Sequence, residues 1–279
     1  MEQTENLYNK QKEKLEPKPN DGNRRILLRV AYDGTNYHGW QLQPGADTVE
    51  GELNRAISGL TREDIQVIGA SRTDAGVHAL GNIAVFDTSS RIPPEKFAYA
   101  LNQRLPEDIV IQESAEVESD FHPRHCASRK TYEYTILNRT FPLPQYRHMA
   151  HFEYGGLDIQ AMQKACGAFV GEHDFAAFCS AKAQVQTTVR TIYSLEVVQQ
   201  PLTAGGQLLI IRVQGNGFLY NMVRIIAGTL LEIGKGRINP EQVGEIIASR
   251  DRGMAGPTAT ARGLKLVSIE IDKDNFDVS

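Results

Sequence analysis

The residues best suited to chemistry lie in one loop, SRTDAGVHA, which begins at Ser71. Its carboxylate, Asp74, is of a type that acts as a nucleophile or as a base. Arg72 stands two residues earlier, and the small Ala75 and Gly76 leave room for a bulky ligand to approach the backbone. A turn aspartate that bonds only its own backbone is the alternative. The polar residues around Asp74 favour a functional loop.

A charged partner for Asp74 is available far along the chain. Arg224 is the only charged residue between Phe218 and Leu231, in a segment of helical and mostly apolar character. A charge on a mostly buried helix costs free energy unless it is paired. Pairing with Arg224 would hold Asp74 ionised and oriented. An arginine that emerges into water at the helix edge is the alternative.

A third group of residues combines aromatic rings with positive charge. Tyr132 and Tyr134 alternate on a predicted strand and point to the same face. Between His122 and His148 the only acid is Glu133, against five basic residues: Arg124, Arg129, Lys130, Arg139 and Arg147. Rings beside cations are typical of surfaces that bind nucleic acid. Core packing of the tyrosines and a solvated charged face are the alternatives.

The elements that must position these residues mix strands and helices without a βαβ rhythm. This pattern indicates an α+β protein with mainly antiparallel pairing. We expect a flexible tail at 1–23, an N-terminal half at 24–120 and a C-terminal half at 121–279, with the cleft between the halves. Strands are predicted around 25–30, 65–68, 83–86, 132–136, 192–198, 208–213 and 264–271, and helices around 47–60, 93–105, 157–169, 218–233 and from 239 onward.

Composition narrows the class of protein further. The 30 basic and 34 acidic residues give a net charge of −4, which argues against a uniformly basic protein that coats nucleic acid. A local basic groove remains compatible with that charge. Three widely spaced cysteines indicate a reducing compartment. No apolar stretch reaches the roughly 20 residues of a membrane span, so a soluble cytoplasmic protein is expected.

Metal and cofactor motifs are not found in the sequence. His122, His125 and Cys126 lack the further ligands that a zinc site requires. Walker loops, GxGxxG units and nucleophilic serine elbows do not occur. We therefore expect no metal and no cofactor.

Six motifs in order give the chain a family resemblance that runs from about Arg25 to Ile271. They are LLRVAYDGTNYHGWQ, ASRTDAGVHA, RKTYEYTI, GEHDFAAF, GNGFLYNMVRIIAGTLLEIGKG and AGPTATARGL. With these motifs the chain resembles the TruA family of tRNA pseudouridine synthases, in its bacterial form. One departure is Ser71, where many members have glycine.

The resemblance implies a fold, an activity and partners. Two α+β halves merge their antiparallel sheets into one extended sheet, with helices packed on it and the active cleft between the halves. A homodimer binds tRNA and isomerises uridine to pseudouridine in the anticodon stem-loop, at positions 38, 39 and 40. The same chemistry on another RNA, or a non-catalytic tRNA-binding module, are the alternative functions.

The resemblance also assigns roles to four residues. Asp74 matches the catalytic aspartate, which either attacks C1′ of the ribose or removes its 2′ hydrogen. Tyr132 matches the tyrosine that stacks on the target uridine and assists a proton transfer. Arg224 matches the basic partner of the aspartate, and Arg72 matches an arginine that helps hold the flipped nucleotide. An isomerisation exchanges no group with outside reagents, so it implies no metal and no cofactor.

Overall fold

The computed structural model describes residues 23–180 and 186–271. The predicted tail, apart from Asn23, lies outside the described residues. The centre of the described chain is a ten-stranded sheet. Its strands are β1 (Arg24–Tyr32), β2 (Ile68–Gly69), β3 (His78–Thr88), β4 (Ile109–Val117), β5 (Ser128–Asn138), β6 (His151–Glu153), β7 (Gly171–Asp174), β8 (Val189–Pro201), β9 (Gln207–Gly215) and β10 (Leu264–Ile271).

The sheet is one continuous surface that joins both halves of the chain. Its order is β4-β1-β3-β10-β5-β9-β8-β7, with β2 added to β3 and β6 added to β5. Most pairs are antiparallel, whereas β10 is parallel to β3 and β6 is parallel to β5. The last strand therefore lies between the halves and pairs Leu266 with Ala79 on one side and Tyr132 on the other. The predicted α+β class and the merged sheet are confirmed, and the domain boundaries stay a prediction.

The described residues contain five α-helices: α1 (Val49–Thr61), α2 (Phe97–Leu101), α3 (Ile159–Cys166), α4 (Met222–Gly234) and α5 (Val243–Ser249). Helix α1 shows how the local sequence determines where a helix begins and which face is buried. The Thr48 hydroxyl accepts a hydrogen bond from Gly51 N, and acidic residues in the first turn favour the positive end of the helix. Leu53 and Ile57 then bury its apolar face. None of the described helices combines the length and the apolar character that a bilayer crossing demands.

Helix α4 is buried on most sides because a loop, residues 255–260, packs directly against it. A Cβ at Gly228 would lie 1.7 Å from the Pro257 carbonyl oxygen, so only glycine allows this approach. Gly256 N donates at 2.9 Å to the hydroxyl of Thr229, the residue directly after Gly228. Close packing of the loop explains how a helix with this apolar composition stays covered.

Several element boundaries differ from the sequence prediction. Helix α1 begins at Val49, after its cap residue Thr48, rather than at residue 47. Helix α4 begins at Met222, four residues later than predicted, because Asn221 adopts a left-handed conformation with φ of 62°. Strands β4, β6 and β7 were not predicted. The GEHD motif forms β7 (Gly171–Asp174), which pairs with β8.

The contact at Gly228 leads to a stability prediction. Gly228→Ala is expected to lower the free energy of unfolding by about 1–3 kcal/mol, because the added methyl group overpacks a closed interface. Gly59→Ala is the matched control, since a Cβ at this position in α1 meets nothing within 4 Å. The control is expected to gain about 0.5–1 kcal/mol from the helix propensity of alanine. Urea unfolding measures both, and equal stability of Gly228→Ala and wild type would contradict the contact.

Candidate active site

The Asp74 loop connects β2 to β3 and is fixed by hydrogen bonds on both sides of the aspartate. The hydroxyls of Thr73 and Tyr32 lie 2.7 Å apart, and Trp40 N donates to the Thr73 carbonyl at 3.0 Å. Gly76 N donates to the Tyr37 carbonyl at 3.2 Å. The loop backbone is therefore held in place before any ligand binds.

Two glycines of the motif LLRVAYDGTNYHGWQ let its backbone pack closely against the Asp74 loop. A Cβ at Gly34 would lie 2.0 Å from the Val77 carbonyl oxygen. Gly39 has a φ of +96°, and its Cβ would lie 2.7 Å from the Thr73 carbonyl oxygen. Side chains at these positions would push the loop away, which explains glycine in the segment DGTNYHGW.

The structure brings Arg224 to Asp74, as the sequence predicts. Arg224 Nη1 lies 3.4 Å from Asp74 Oδ2, and the two side chains keep 18% and 22% of their surface exposed. Two further acceptors orient the guanidinium. Nε donates to the Ala259 carbonyl at 2.7 Å, and Nη1 donates to Asn221 Oδ1 at 2.7 Å. Arg224 is thus anchored by the α4 start and the 255–260 loop, and it presents one edge to the carboxylate.

The electrostatics of Asp74 are set by two opposing effects. Burial raises the pKa of Asp74 above its ordinary value, and the charge and hydrogen bond of Arg224 lower it. Burial is the larger effect, so Arg224 offsets it only in part. The carboxylate is therefore more basic than an exposed aspartate, which suits both a nucleophile and a proton acceptor.

Tyr132 lies beside this pair on β5. Its ring packs edge-on against Phe218 with centroids 5.2 Å apart, and its hydroxyl shares a hydrogen bond with Ser71. Burial raises the pKa of Tyr132 to about 12; the Ser71 hydrogen bond opposes this rise and the charge of Asp74 adds to it. The phenol therefore stays protonated at neutral pH and can donate a hydrogen bond.

Tyr134 faces the same side of β5 but serves a different purpose. Its hydroxyl donates to the Thr260 carbonyl at 2.9 Å, and its side chain is fully buried. This bond ties β5 to the loop that orients Arg224 through Ala259. Of the two tyrosines, Tyr132 alone contacts the Asp74 loop by a side-chain hydrogen bond within the described residues.

Arg72 is exposed and has no hydrogen-bond or ion-pair partner within the described residues. It is free to contact a ligand. Ser71, the departure from the family pattern, does not have a positive φ, so serine fits the backbone there without strain. Its buried hydroxyl is the one that bonds Tyr132.

His78 is one of the polar residues of the same motif, SRTDAGVHA. Its Nδ1 lies 3.0 Å from Asp33 Oδ1 and 3.1 Å from Gly34 N, and its Nε2 lies 2.9 Å from the His148 carbonyl oxygen. The buried ring joins the first motif to the loop after β5.

The basic stretch does not form a single patch. Arg124 Nε donates to the Gly69 carbonyl and Lys130 Nζ to the Ala70 carbonyl, so both hold backbone next to the Asp74 loop. Arg129 stacks over the Tyr193 ring at 4.9 Å. Arg139 lies at the far end of β5, ten residues or roughly 33 Å from Arg129. Extended strand geometry thus separates charges that are close in sequence.

The His122 and His125 rings stack with centroids 3.9 Å apart. Burial, together with the charges of His125 and Arg124, lowers the pKa of His122 to about 4. Within residues 23–180 and 186–271, no group of three or more His, Cys, Asp or Glu side chains is arranged to hold a metal ion.

The fold and the site together define an α+β protein whose candidate site is one carboxylate, Asp74, paired with an arginine, Arg224. A family model described as tRNA pseudouridine synthase matches residues 29–125 and 165–272. Asp74 and Arg224 lie within these segments, and Tyr132 lies between them. The chain belongs to the tRNA pseudouridine synthase family.

Curated relatives agree with this assignment over nearly their whole length. Proteins named tRNA pseudouridine synthase A from Acetivibrio thermocellus and Ruminiclostridium cellulolyticum are each 49% identical over 246 residues. Those alignments cover 88% of this chain and 99% of each relative. The protein of that name from Brevibacillus brevis is 47% identical and covers 87% of this chain and 98% of its own.

Proposed function

We propose that this chain isomerises uridine to pseudouridine in the anticodon stem-loop of tRNA, at positions 38, 39 and 40. The observation that carries the proposal is the contact between Asp74 and Arg224, with Tyr132 beside them, in a chain of this family. A module that only bound RNA would not require a partly buried carboxylate whose ionisation is costly.

The reaction requires few groups. The N1–C1′ bond breaks, the base turns, and C5 joins C1′ while the C5 proton is lost and N1 gains one. The substrate therefore keeps all its atoms except for the protons that it exchanges with solvent. Asp74 either attacks C1′ or removes the 2′ hydrogen, and its raised pKa supports both routes. Arg224 orients the carboxylate, and its positive charge stabilises the ionised form of Asp74.

Tyr132 supplies the ring on which the flipped uridine stacks. A base removed from its stack needs an aromatic or apolar surface to replace its neighbours. The ring of Tyr132 packs against Phe218, and its protonated hydroxyl interacts with Ser71 at the start of the Asp74 loop. This arrangement supports a role in proton transfer as a donor.

Arg72 contacts the RNA from the exposed side of the loop. Arg72→Gln is expected to reduce the salt dependence of tRNA binding by about 0.9 in the slope of log K against log salt, if one phosphate contact is lost. Arg55→Gln is the control, because Arg55 is exposed on α1 and pairs with Glu52. Filter binding over a series of KCl concentrations measures the slope. An unchanged slope in Arg72→Gln would contradict a phosphate contact.

The choice of target is tested with tRNA transcripts in which uridines 38, 39 and 40 are replaced by cytidine. The proposal predicts that wild-type protein forms pseudouridine in the parent transcript and none in the replaced one. Equal product from both transcripts would show the same chemistry aimed at other uridines.

A homodimer in the cytoplasm completes the proposal and rests on the family resemblance. Sedimentation equilibrium is expected to give twice the 31.0 kDa of one chain.

A further inference from the structure

One half-buried cation near the site, Lys130, has no part in the chemistry described above. Lys130 lies on β5 two residues before Tyr132, so the two side chains share a face of the strand. Its Nζ donates to the Ala70 carbonyl at 3.1 Å. Among the described residues no carboxylate lies within ion-pair distance of this ammonium group.

The placement of Lys130 is energetically costly. Burial lowers the pKa of Lys130 to about 8; the neighbouring Cys126 opposes this shift and the Arg124 charge adds to it. Without a carboxylate partner, a half-buried ammonium costs folding free energy, and its hydrogen bonds must offset that cost. The hydrogen bond of Lys130 holds the backbone of the segment that leads into the Asp74 loop.

A second cation supports the same segment. Arg124 Nε donates to the Gly69 carbonyl at 2.9 Å, so two consecutive carbonyls are held by side chains from the region around the start of β5. Ser71, the next residue after Ala70, bonds Tyr132. The chain from Gly69 to Ser71 is therefore attached to the strand that carries Tyr132.

We propose that Lys130 is a positioning residue for the reaction: by holding the Ala70 carbonyl, it fixes the Asp74 loop against Tyr132 and Arg224. The inference rests on the proposed function. Lys130 acts through the loop and touches no substrate. Asp74 and Arg224 meet at 3.4 Å, a separation at which a small displacement of the loop loses the contact.

The test compares Lys130→Met, which removes the donor, with Lys130→Arg, which keeps a cationic donor. At saturating tRNA, the single-turnover rate of Lys130→Met is expected to fall by about 10- to 100-fold, because misplacement of reacting groups by up to 1 Å has effects of this size. Affinity for tRNA and its salt slope are expected to stay as in wild type, and Lys130→Arg is expected to recover most of the rate.

Trp40 gives an independent readout of loop position without RNA. It is the only tryptophan, its buried ring lies against Gly69, and its backbone N bonds Thr73. Acrylamide quenching of its fluorescence is expected to increase in Lys130→Met and to match wild type in Lys130→Arg. Lys164→Met is the control, since Lys164 is exposed on α3 and pairs with Glu241.

A wild-type rate in Lys130→Met overturns the inference. So does a loss of affinity with a salt slope lower by about 0.9 and an unchanged rate at saturation, which would make Lys130 a phosphate ligand. If Lys130→Met does not fold, Lys130→Gln is measured in the same way. A wild-type protein that converts no uridine contradicts the proposed function, while the quenching comparison still decides the positioning role.

Discussion

Asp74→Asn is expected to lower the single-turnover rate by about 10⁴-fold or more, since loss of a nucleophile or essential base has effects of this order. Asparagine has nearly the same shape and can still accept a hydrogen bond from Arg224. Its amide cannot attack C1′ or remove a proton. Binding of tRNA is expected to stay within about twofold of wild type, because no cation that could contact phosphate is changed.

The same variant makes a stability prediction with a definite sign. Folding raises the pKa of Asp74, so ionising the group above its ordinary pKa costs folding free energy. The neutral asparagine avoids this cost. Asp74→Asn is therefore expected to unfold at the same or a higher temperature than wild type near neutral pH.

The matched control for this experiment is Asp64→Asn, which makes the same chemical change at an exposed residue. Product formation, filter binding and thermal unfolding are measured on all three proteins. Full turnover by Asp74→Asn would remove the aspartate from the reaction. A large loss of tRNA affinity in Asp74→Asn would show that Asp74 acts in binding rather than in the chemical step.

Arg224→Met is expected to move the acidic limb of the pH–rate profile to higher pH by about 1–3 units, the usual effect of one close opposite charge. Arg224 lowers the pKa of Asp74 against the larger effect of burial. Without the guanidinium the pKa rises further, so a smaller fraction of Asp74 is ionised at a given pH. The rate is expected to recover in part as the pH is raised.

Arg224→Lys separates the charge from the geometry. A lysine keeps one positive charge but cannot hold Ala259 O and Asn221 Oδ1 while it faces Asp74. Its acidic limb is expected between those of wild type and Arg224→Met. Single-turnover rates across the pH range provide the comparison. An acidic limb that stays at its wild-type position in Arg224→Met would show that Arg224 does not act through the ionisation of Asp74.

Much of this site could be predicted from local sequence. The loop around Asp74 has a composition too polar for a plain connection, and Arg224 is conspicuous on an apolar helix. Strand β10 was predicted at its observed bounds because apolar residues recur along its whole length, although a register shift between Leu266 and Ser268 interrupts their alternation. These features depend on residues that are close in the chain, where periodicity and charge are informative.

The rest depends on contacts between distant segments. Nothing local indicates that β10 inserts between β3 and β5 and so brings Ala79 next to Tyr132 through Leu266. Strand β4 was missed because a register shift opposite Arg29 and Val30 interrupts its alternation. The bond from Lys130 to Ala70 spans 60 residues, and a lysine in a basic stretch gives no sign of its partner.

The most direct test of the central claim is a position-by-position assay of one unmodified tRNA transcript after incubation with wild-type protein. Pseudouridine is detected by its specific chemical modification followed by primer extension. Conversion is expected at the uridines among positions 38, 39 and 40 and at no other position. A transcript that is bound but carries no pseudouridine after incubation would contradict the proposed function.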